Sequence, residues 1–232
     1  MEILYRSVCI IIGYIFGLFQ TGYIYGRLNH VDIRDYGSGN AGTTNAMRVL
    51  GKKAGIITYL GDMLKGVLAG CVVRLLCAFV FDIGSGDAYI SMEYILIMYA
   101  GMGVVLGHNY PFYMGFKGGK GIAASSGVVI SMFFWPVIVI DLLTFIVVTA
   151  VSKYVSLGSI CLMTVHFILV VVFDLTSGRT GWFKVSEAGF PFEFIVLTFL
   201  FTALAIFKHR GNIKRLINGT ERRIGEKKKE EN

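Results

Sequence analysis

The apolar residues of this 232-residue chain gather into long blocks, separated by polar and often glycine-rich stretches. Seven blocks stand out, near 3–25, 55–81, 89–107, 121–135, 136–152, 156–174 and 190–208. A helix of about 18–25 apolar residues crosses a hydrocarbon core of roughly 30 Å. The blocks therefore predict an all-α integral membrane protein. It is a single polytopic domain over 1–232, with seven transmembrane helices and a tail from 209 to 232. The fourth and fifth blocks meet at Trp135-Pro136. Proline ends or kinks a helix, so two short helices in a tight hairpin and one long broken helix both fit. No basic region precedes the first block and no A-x-A cleavage site follows it, so it reads as a membrane helix rather than a signal peptide.

The polar segments between blocks are 26–54, 82–88, 108–120, 153–155 and 175–189, followed by the tail. Segments 26–54, 108–120 and 153–155, with the tail from Lys208, hold five, two, one and nine of the 22 lysines and arginines. The other side holds Arg6, Arg179 and Lys184. Basic loops stay in the cytoplasm, which puts the N-terminus outside and the C-terminus inside. Segment 175–189 is then an exterior loop, and the closing EKKKEEN is a solvated tail able to touch anionic lipid.

Composition agrees with the pattern: 55% of residues are hydrophobic and the mean hydropathy is +0.66. One soluble core cannot use that much contiguous apolar sequence. The net charge of +7 is concentrated where topology and anionic ligands need it, and does not predict a nucleic-acid partner. Cys9, Cys71, Cys77 and Cys161 all fall in apolar blocks with no C-x-x-C pair, so neither disulfides nor a metal cluster is expected. No cofactor is expected either.

The sidedness places every glycine-rich polar segment on one face. The first, GSGNAGTTNAMR at 37–48, contains G-x-G-x-x-G at Gly37, Gly39 and Gly42. It follows a membrane helix rather than a strand, so a dinucleotide fold is excluded. Its physics survives: glycines let backbone N–H groups converge on an anion, Ser38, Asn40, Thr43 and Thr44 add donors, and Arg48 can grip a phosphate with two N–H groups. The second, GHNYPFYMGFKGGKG at 107–121, is not a P-loop, because no Ser or Thr follows a Gly-Lys pair. Gly118, Gly119, Lys120 and Gly121 stand where an apolar helix begins, and free N–H groups beside a lysine make a second anion site. The third, HRGNIKRLINGTE at 209–221, puts His209 and Asn212 on one face if the helix continues past Gly211. An ordinary basic flank also explains it. Asn218-Gly219-Thr220 matches a glycosylation pattern, which a cytoplasmic location makes accidental.

Four further features lie inside or beside the blocks. Asp62 and Lys65 share a helix face, and either pairing with each other or a polar loop dipping in would lower their cost in the membrane. Ser156 and Ser159 open the sixth block, where helix caps are an equal reading. His166 reads as a packing histidine. Asp141 is expected to face other helices, with no partner nameable from sequence.

These motifs resemble those of the bacterial acyl-phosphate:glycerol-3-phosphate acyltransferases of the PlsY type. The three glycine-rich stretches carry the resemblance, with Asp62-Met63-Leu64-Lys65-Gly66 and the stretch 154–159 beside them. It runs from the first block to the tail, except over 175–189. It implies seven helices in the bacterial inner membrane and a site on the cytoplasmic side. It implies transfer of a fatty acyl group from acyl phosphate to the first hydroxyl of glycerol 3-phosphate, giving lysophosphatidic acid and phosphate. A separate peripheral enzyme would supply the acyl phosphate. Carried over by position, Ser38, Gly39, Asn40, Gly42, Thr43, Thr44 and Lys120 would hold acyl phosphate. Arg48, Lys120, Ser159, His209 and Asn212 would hold glycerol 3-phosphate. Ser38, Lys120 and His209 are the expected catalytic residues, supported by Asp62, Lys65, His108, Gly118, Gly119, Gly121 and Glu221. The alternative is a transporter of small phosphorylated solutes. Against it, transporter sites sit near the bilayer midplane between internal repeats, and no repeat is found here.

Overall fold

The computed structural model describes residues 1–180 and 192–226. Its regular structure, among the described residues, is helical: α1 (Glu2–Leu18), α2 (Thr21–Leu28), α3 (Thr43–Leu50), α4 (Lys52–Phe79), α5 (Gly86–Asn109), α6 (Ile122–Ser131), α7 (Trp135–Ser152), α8 (Val155–Thr180), α9 (Phe192–Lys208) and α10 (Arg210–Ile217), with short 3-10 turns at Ile33–Asp35 and Phe112–Met114. Among the described residues, five stretches are long and apolar enough to cross a membrane, and α9 with α10 makes a sixth if that pair, bent by 57°, is one span. Many large apolar side chains point outward along them, among them Ile11, Ile15, Leu64, Leu68, Leu142 and Leu143. In water such a belt would be a liability; around a membrane bundle it faces lipid.

Three of the expected elements differ. The first block is one span interrupted between α1 and α2, at Phe19 and Gln20. Gln20 fills the break, its side-chain amide donating to the carbonyls of Gly17, Gly107 and His108 at 3.0–3.3 Å. Hydropathy averages over such a break, since the residues on both sides stay apolar. The fourth block forms only the ten-residue α6, about 15 Å long. The turn after it sets in before Trp135, with Phe133 in the left-handed region at φ 58°. Of the two arrangements the sequence left open, the structure has the hairpin of α6 and α7. Finally, α8 continues to Thr180, so helix replaces loop over the first part of 175–189. The remainder of that expected loop, and the end of the EKKKEEN tail, lie outside the described residues.

The bundle closes where glycines remove the side chain between backbones. A Cβ on Gly13 of α1 would lie 1.8 Å from the Ala100 carbonyl of α5, and one on Gly103 would lie 2.2 Å from that of Ile10. The same close approach recurs between α4 and α6, at Gly66 and Gly127. Small residues at helix crossings let backbones pack by dispersion where lipid offers no hydrophobic drive. These two contacts fix the end of α5 and the start of α6, between which the second glycine-rich loop is strung. Around them Cys9, Ala69, Val73, Leu96, Ile97, Val104 and Val128 form the buried apolar core.

Candidate active site

The polar loops meet in one cavity of about 100 Å³ at the end of the bundle. The first loop builds one wall. Gly37 and Gly39 take positive φ angles of 66° and 69°, which a residue with a Cβ adopts at a cost. Asn45 ties the loop down: its side chain accepts from the Ser38 N–H at 2.8 Å and donates to the carbonyls of Ile33 and Tyr36. Asn40 accepts from the Gly42 N–H at 2.9 Å and reaches across to the Gly118 carbonyl at 3.4 Å, joining the two glycine-rich loops. Helix α3 then starts at Thr43 with its first-turn N–H groups at the cavity, and Arg48 lies on the same wall.

The second loop supplies Lys120, with Gly121 at φ 87° turning the chain into α6. Lys120 lies under Asn212, to whose side-chain oxygen it donates. The third segment explains how Asn212 arrives there. The chain bends at His209, between α9 and α10, and both His209 and Asn212 face the cavity. The segment after α10 folds back onto the turn between α7 and α8, through the Ile224 N–H to the Lys153 carbonyl at 2.9 Å. This fold-back inserts Glu221, whose carboxylate accepts from Asn212 at 2.6 Å, Ser156 at 2.8 Å and Arg215 at 2.7 Å. Burial alone would push the Glu221 carboxyl up, but these donors outweigh it and hold it below the ordinary range.

The electrostatics of the cavity are basic and partly dry. Burial, reinforced by Arg215, Arg48 and Lys208 and opposed by Glu221, lowers the Lys120 ammonium to about 8. Burial and the neighbouring Lys120 charge lower His209 to about 4, so its ring is neutral at pH 7. Its Nδ1 lies 2.8 Å from the Ala205 carbonyl. A carbonyl only accepts, so the ring proton sits on Nδ1 and Nε2 keeps a free lone pair. Asp62 reaches the wall and is paired with Lys65 behind it: Lys65 donates to Asp62 at 3.0 Å and to the Phe19 carbonyl at 2.8 Å, and its Nζ stands 2.7 Å from His108 Nδ1. The break between α1 and α2 thus supplies carbonyls to a buried ammonium.

Of the residues singled out from sequence, Ser38, Asn40, Gly42, Thr43, Thr44, Arg48, Asp62, His108, Lys120, Gly121, Ser159, His209, Asn212 and Glu221 line this cavity. Gly39, Lys65, Gly118 and Gly119 are not on its wall. Gly119 packs against His108, whose Nε2 would be 2.0 Å from an added Cβ. Ser156 and Asn45 line it too. Ser156 read equally as a cap, and Asn45 differed from its neighbours in the motif by nothing visible in sequence. Beside the polar cavity runs an apolar groove of about 480 Å³. Thr43 and Ile122 belong to both walls, so the two spaces adjoin.

The chain as a whole has counterparts among known proteins. The family model for glycerol-3-phosphate acyltransferase matches residues 7–219. The chain belongs to the glycerol-3-phosphate acyltransferase family. A relative of that name from Clostridioides difficile (strain 630) is 39% identical, over 98% of this chain and 100% of its own length. Another, from Alkaliphilus metalliredigens, is 38% identical over 94% and 95%. Among solved structures, the glycerol 3-phosphate form of PlsY (YgiH), an integral membrane glycerol 3-phosphate acyltransferase, superposes with a TM-score of 0.76 at 33% identity, covering 95% of this chain and 96% of that one. Its lysophosphatidic acid form gives 0.74 at 32% identity, with 95% of each chain covered. Members of this glycerol-3-phosphate acyltransferase family are enzymes, and the transporter alternative finds no support among them.

Proposed function

We propose that the protein moves a fatty acyl group from acyl phosphate to the 1-hydroxyl of glycerol 3-phosphate, releasing lysophosphatidic acid and inorganic phosphate. The observation that carries this reading is the junction of two unlike spaces: a cavity holding Arg48, Lys120 and the first turn of α3, and an apolar groove joined to it at Thr43 and Ile122. Phosphate groups suit the first and an acyl chain the second. Ser38, Asn40, Gly42, Thr43 and Thr44 hold the donor phosphate, with Gly39 shaping the loop. Arg48, Ser159, His209 and Asn212 hold glycerol 3-phosphate, and Lys120 bridges the two anions. Phosphate is a good leaving group, so placement does most of the work. Holding two reactants in register lowers a barrier by roughly 7–11 kcal/mol.

In the step, the 1-hydroxyl oxygen attacks the acyl carbon, the bond from that carbon to the phosphate oxygen breaks, and the hydroxyl proton leaves. With His209 lowered to about 4, its Nε2 is a weak base. A phosphate oxygen of the donor gains basicity as its bond to the acyl carbon breaks, and so is the stronger acceptor. The donor phosphate therefore takes the proton, while His209 Nε2 accepts a hydrogen bond from the neighbouring 2-hydroxyl and so orients the acceptor. Loop N–H groups stabilise the tetrahedral oxyanion.

The charge distribution supports a cytoplasmic site, an N-terminus outside and location in a bacterial inner membrane. Seven segments satisfy it with α6 as a short arm. Ile122 at its start and Val155 just past the end of α7 line the same cavity, so the α6–α7 hairpin leaves that face and returns to it. A peripheral enzyme making acyl phosphate would dock there. The test is purified protein with labelled glycerol 3-phosphate and either acyl phosphate or acyl-CoA. Labelled lysophosphatidic acid is expected from acyl phosphate alone; product from acyl-CoA at the same rate would overturn the donor assignment.

A further inference from the structure

Asp141 of α7 and His166 of α8 stand in the wall of the apolar groove, with His166 Nδ1 2.7 Å from Asp141 Oδ2. Both are buried, and the other carboxylate oxygen, Oδ1, has no hydrogen-bond partner among the described residues. Ionisable side chains inside a membrane bundle are costly, and a tie between two helices needs only one carboxylate oxygen. Here the second oxygen is enclosed and unpaired, so the pair is held in place at a cost.

The depth of the pair is informative. From Ser159 in the polar cavity to His166, α8 rises about 10 Å, and from Ser152 back to Asp141, α7 descends about 16 Å. Beyond His166 lies a separate apolar void of about 10 Å³, lined by Val137, Val170 and Phe173 among others. His166 borders both spaces. Apolar surface therefore continues past His166, which with Val129 stands between the two spaces.

We propose that the Asp141–His166 pair is the floor of the acyl groove and sets the length of the acyl chain. This rests on the acyl-transfer reading above. A chain whose methyl end stops at the pair fills the groove. A longer one must displace the His166–Asp141 pair, which parts a buried hydrogen bond and leaves the carboxylate with neither oxygen satisfied, and that costs free energy.

The test uses the full-length protein in lipid bilayers with glycerol 3-phosphate and saturated acyl phosphates of increasing even length. The kcat/KM should fall about tenfold from the longest chain that ends at the pair to the next lengths. In the double variant Asp141→Val/His166→Ala, the fall should move to longer chains by at least one even-numbered step. Replacing both members of a buried pair by apolar residues is usually tolerated. Leu162→Trp, which fills the groove one turn nearer the polar cavity than His166, should move the fall to shorter chains and serves if the double variant does not fold. Variant-to-wild-type ratios at each length cancel differences in substrate solubility. Transfer with a flat length profile, as when the chain leaves sideways into lipid, overturns the floor, and so does a fall that either variant leaves in place. Absence of transfer at every length defeats the acyl-transfer reading and the floor with it.

Discussion

Lys120 carries a charge that two anions would share, and its burial makes that charge conditional. With the ammonium lowered to about 8, the charged fraction falls as pH rises through that value. The kcat/KM for glycerol 3-phosphate should therefore show an alkaline limb with a midpoint near 8. The limb of kcat should lie higher, because bound phosphates favour the charged form. Lys120→Arg should abolish the limb, and a limb unmoved in that variant would assign it elsewhere. Lys120→Ala should lower kcat/KM by about 10²–10³-fold. His209 separates two roles by the way its loss divides between constants. His209→Gln should raise KM for glycerol 3-phosphate and leave kcat within about tenfold, as expected of a binder. A fall in kcat of about a thousandfold at constant KM would make His209 the base instead. The candidacy of these residues was legible because loops rich in Gly, Ser, Thr and Asn with single cations are unusual company for membrane helices. The tautomer of His209 was not legible. It depends on the Ala205 carbonyl one turn back, at a helix end that bends.

At the level of elements, the interruption between α1 and α2 and the charges inside α4 are one device. Lys65 is 3% exposed and Asp62 1% exposed, and the ammonium is held by Asp62, His108 and the carbonyls that the break frees. Lys65→Met would strand Asp62 as an uncompensated buried charge, at a cost of about 3–5 kcal/mol. Asp62→Asn/Lys65→Met removes both charges and should be markedly more stable than Lys65→Met alone, as read by thermal unfolding in detergent. Equal stability of the two variants would show that the pair is not coupled. From sequence, the i, i+3 spacing of Asp62 and Lys65 announced a pair, but the third and fourth partners come from α5 and from backbone, which no spacing reports. The same limit explains α6. An apolar run from 121 through Trp135 satisfies a hydropathy window whether or not it stays helical, and only the turn at Phe133 shortens it. Gly66 and Gly127 read as ordinary glycines until the crossing of α4 and α6 is known. Gly127→Leu would drive a side chain into the Met63 carbonyl, which lies 1.9 Å from the Cβ position. Loss of acyl transfer together with a lowered melting temperature is expected.

For the whole molecule, one requirement joins the loops to the chemistry: they must emerge on the same face of the bilayer. The structure meets the internal half of that requirement, since Asn40 of the first loop reaches Gly118 of the second and Lys120 reaches Asn212 of the third. The cytoplasmic face proposed for them is argued from charge alone. Lys52, Lys53, Lys117, Lys153, Lys214 and Arg215 gather at the cavity end, and short basic loops stay in the cytoplasm because translocating them is unfavourable. The turn between α4 and α5 belongs to the opposite end, since α4 begins at Lys52 beside α3 and runs 28 residues away from it. Single cysteines placed at Lys117, Thr220 and Ser85, in a background with Cys9, Cys71, Cys77 and Cys161 replaced, divide the two faces. In intact cells a membrane-impermeant maleimide should label position 85 and spare 117 and 220. In inside-out vesicles the pattern should invert. Labelling of 117 and 220 from outside intact cells would turn the protein over and put its site where no cytoplasmic acyl donor could reach it. Labelling of those two positions from different faces would contradict the fold itself, because residues flanking one cavity cannot be parted by a bilayer.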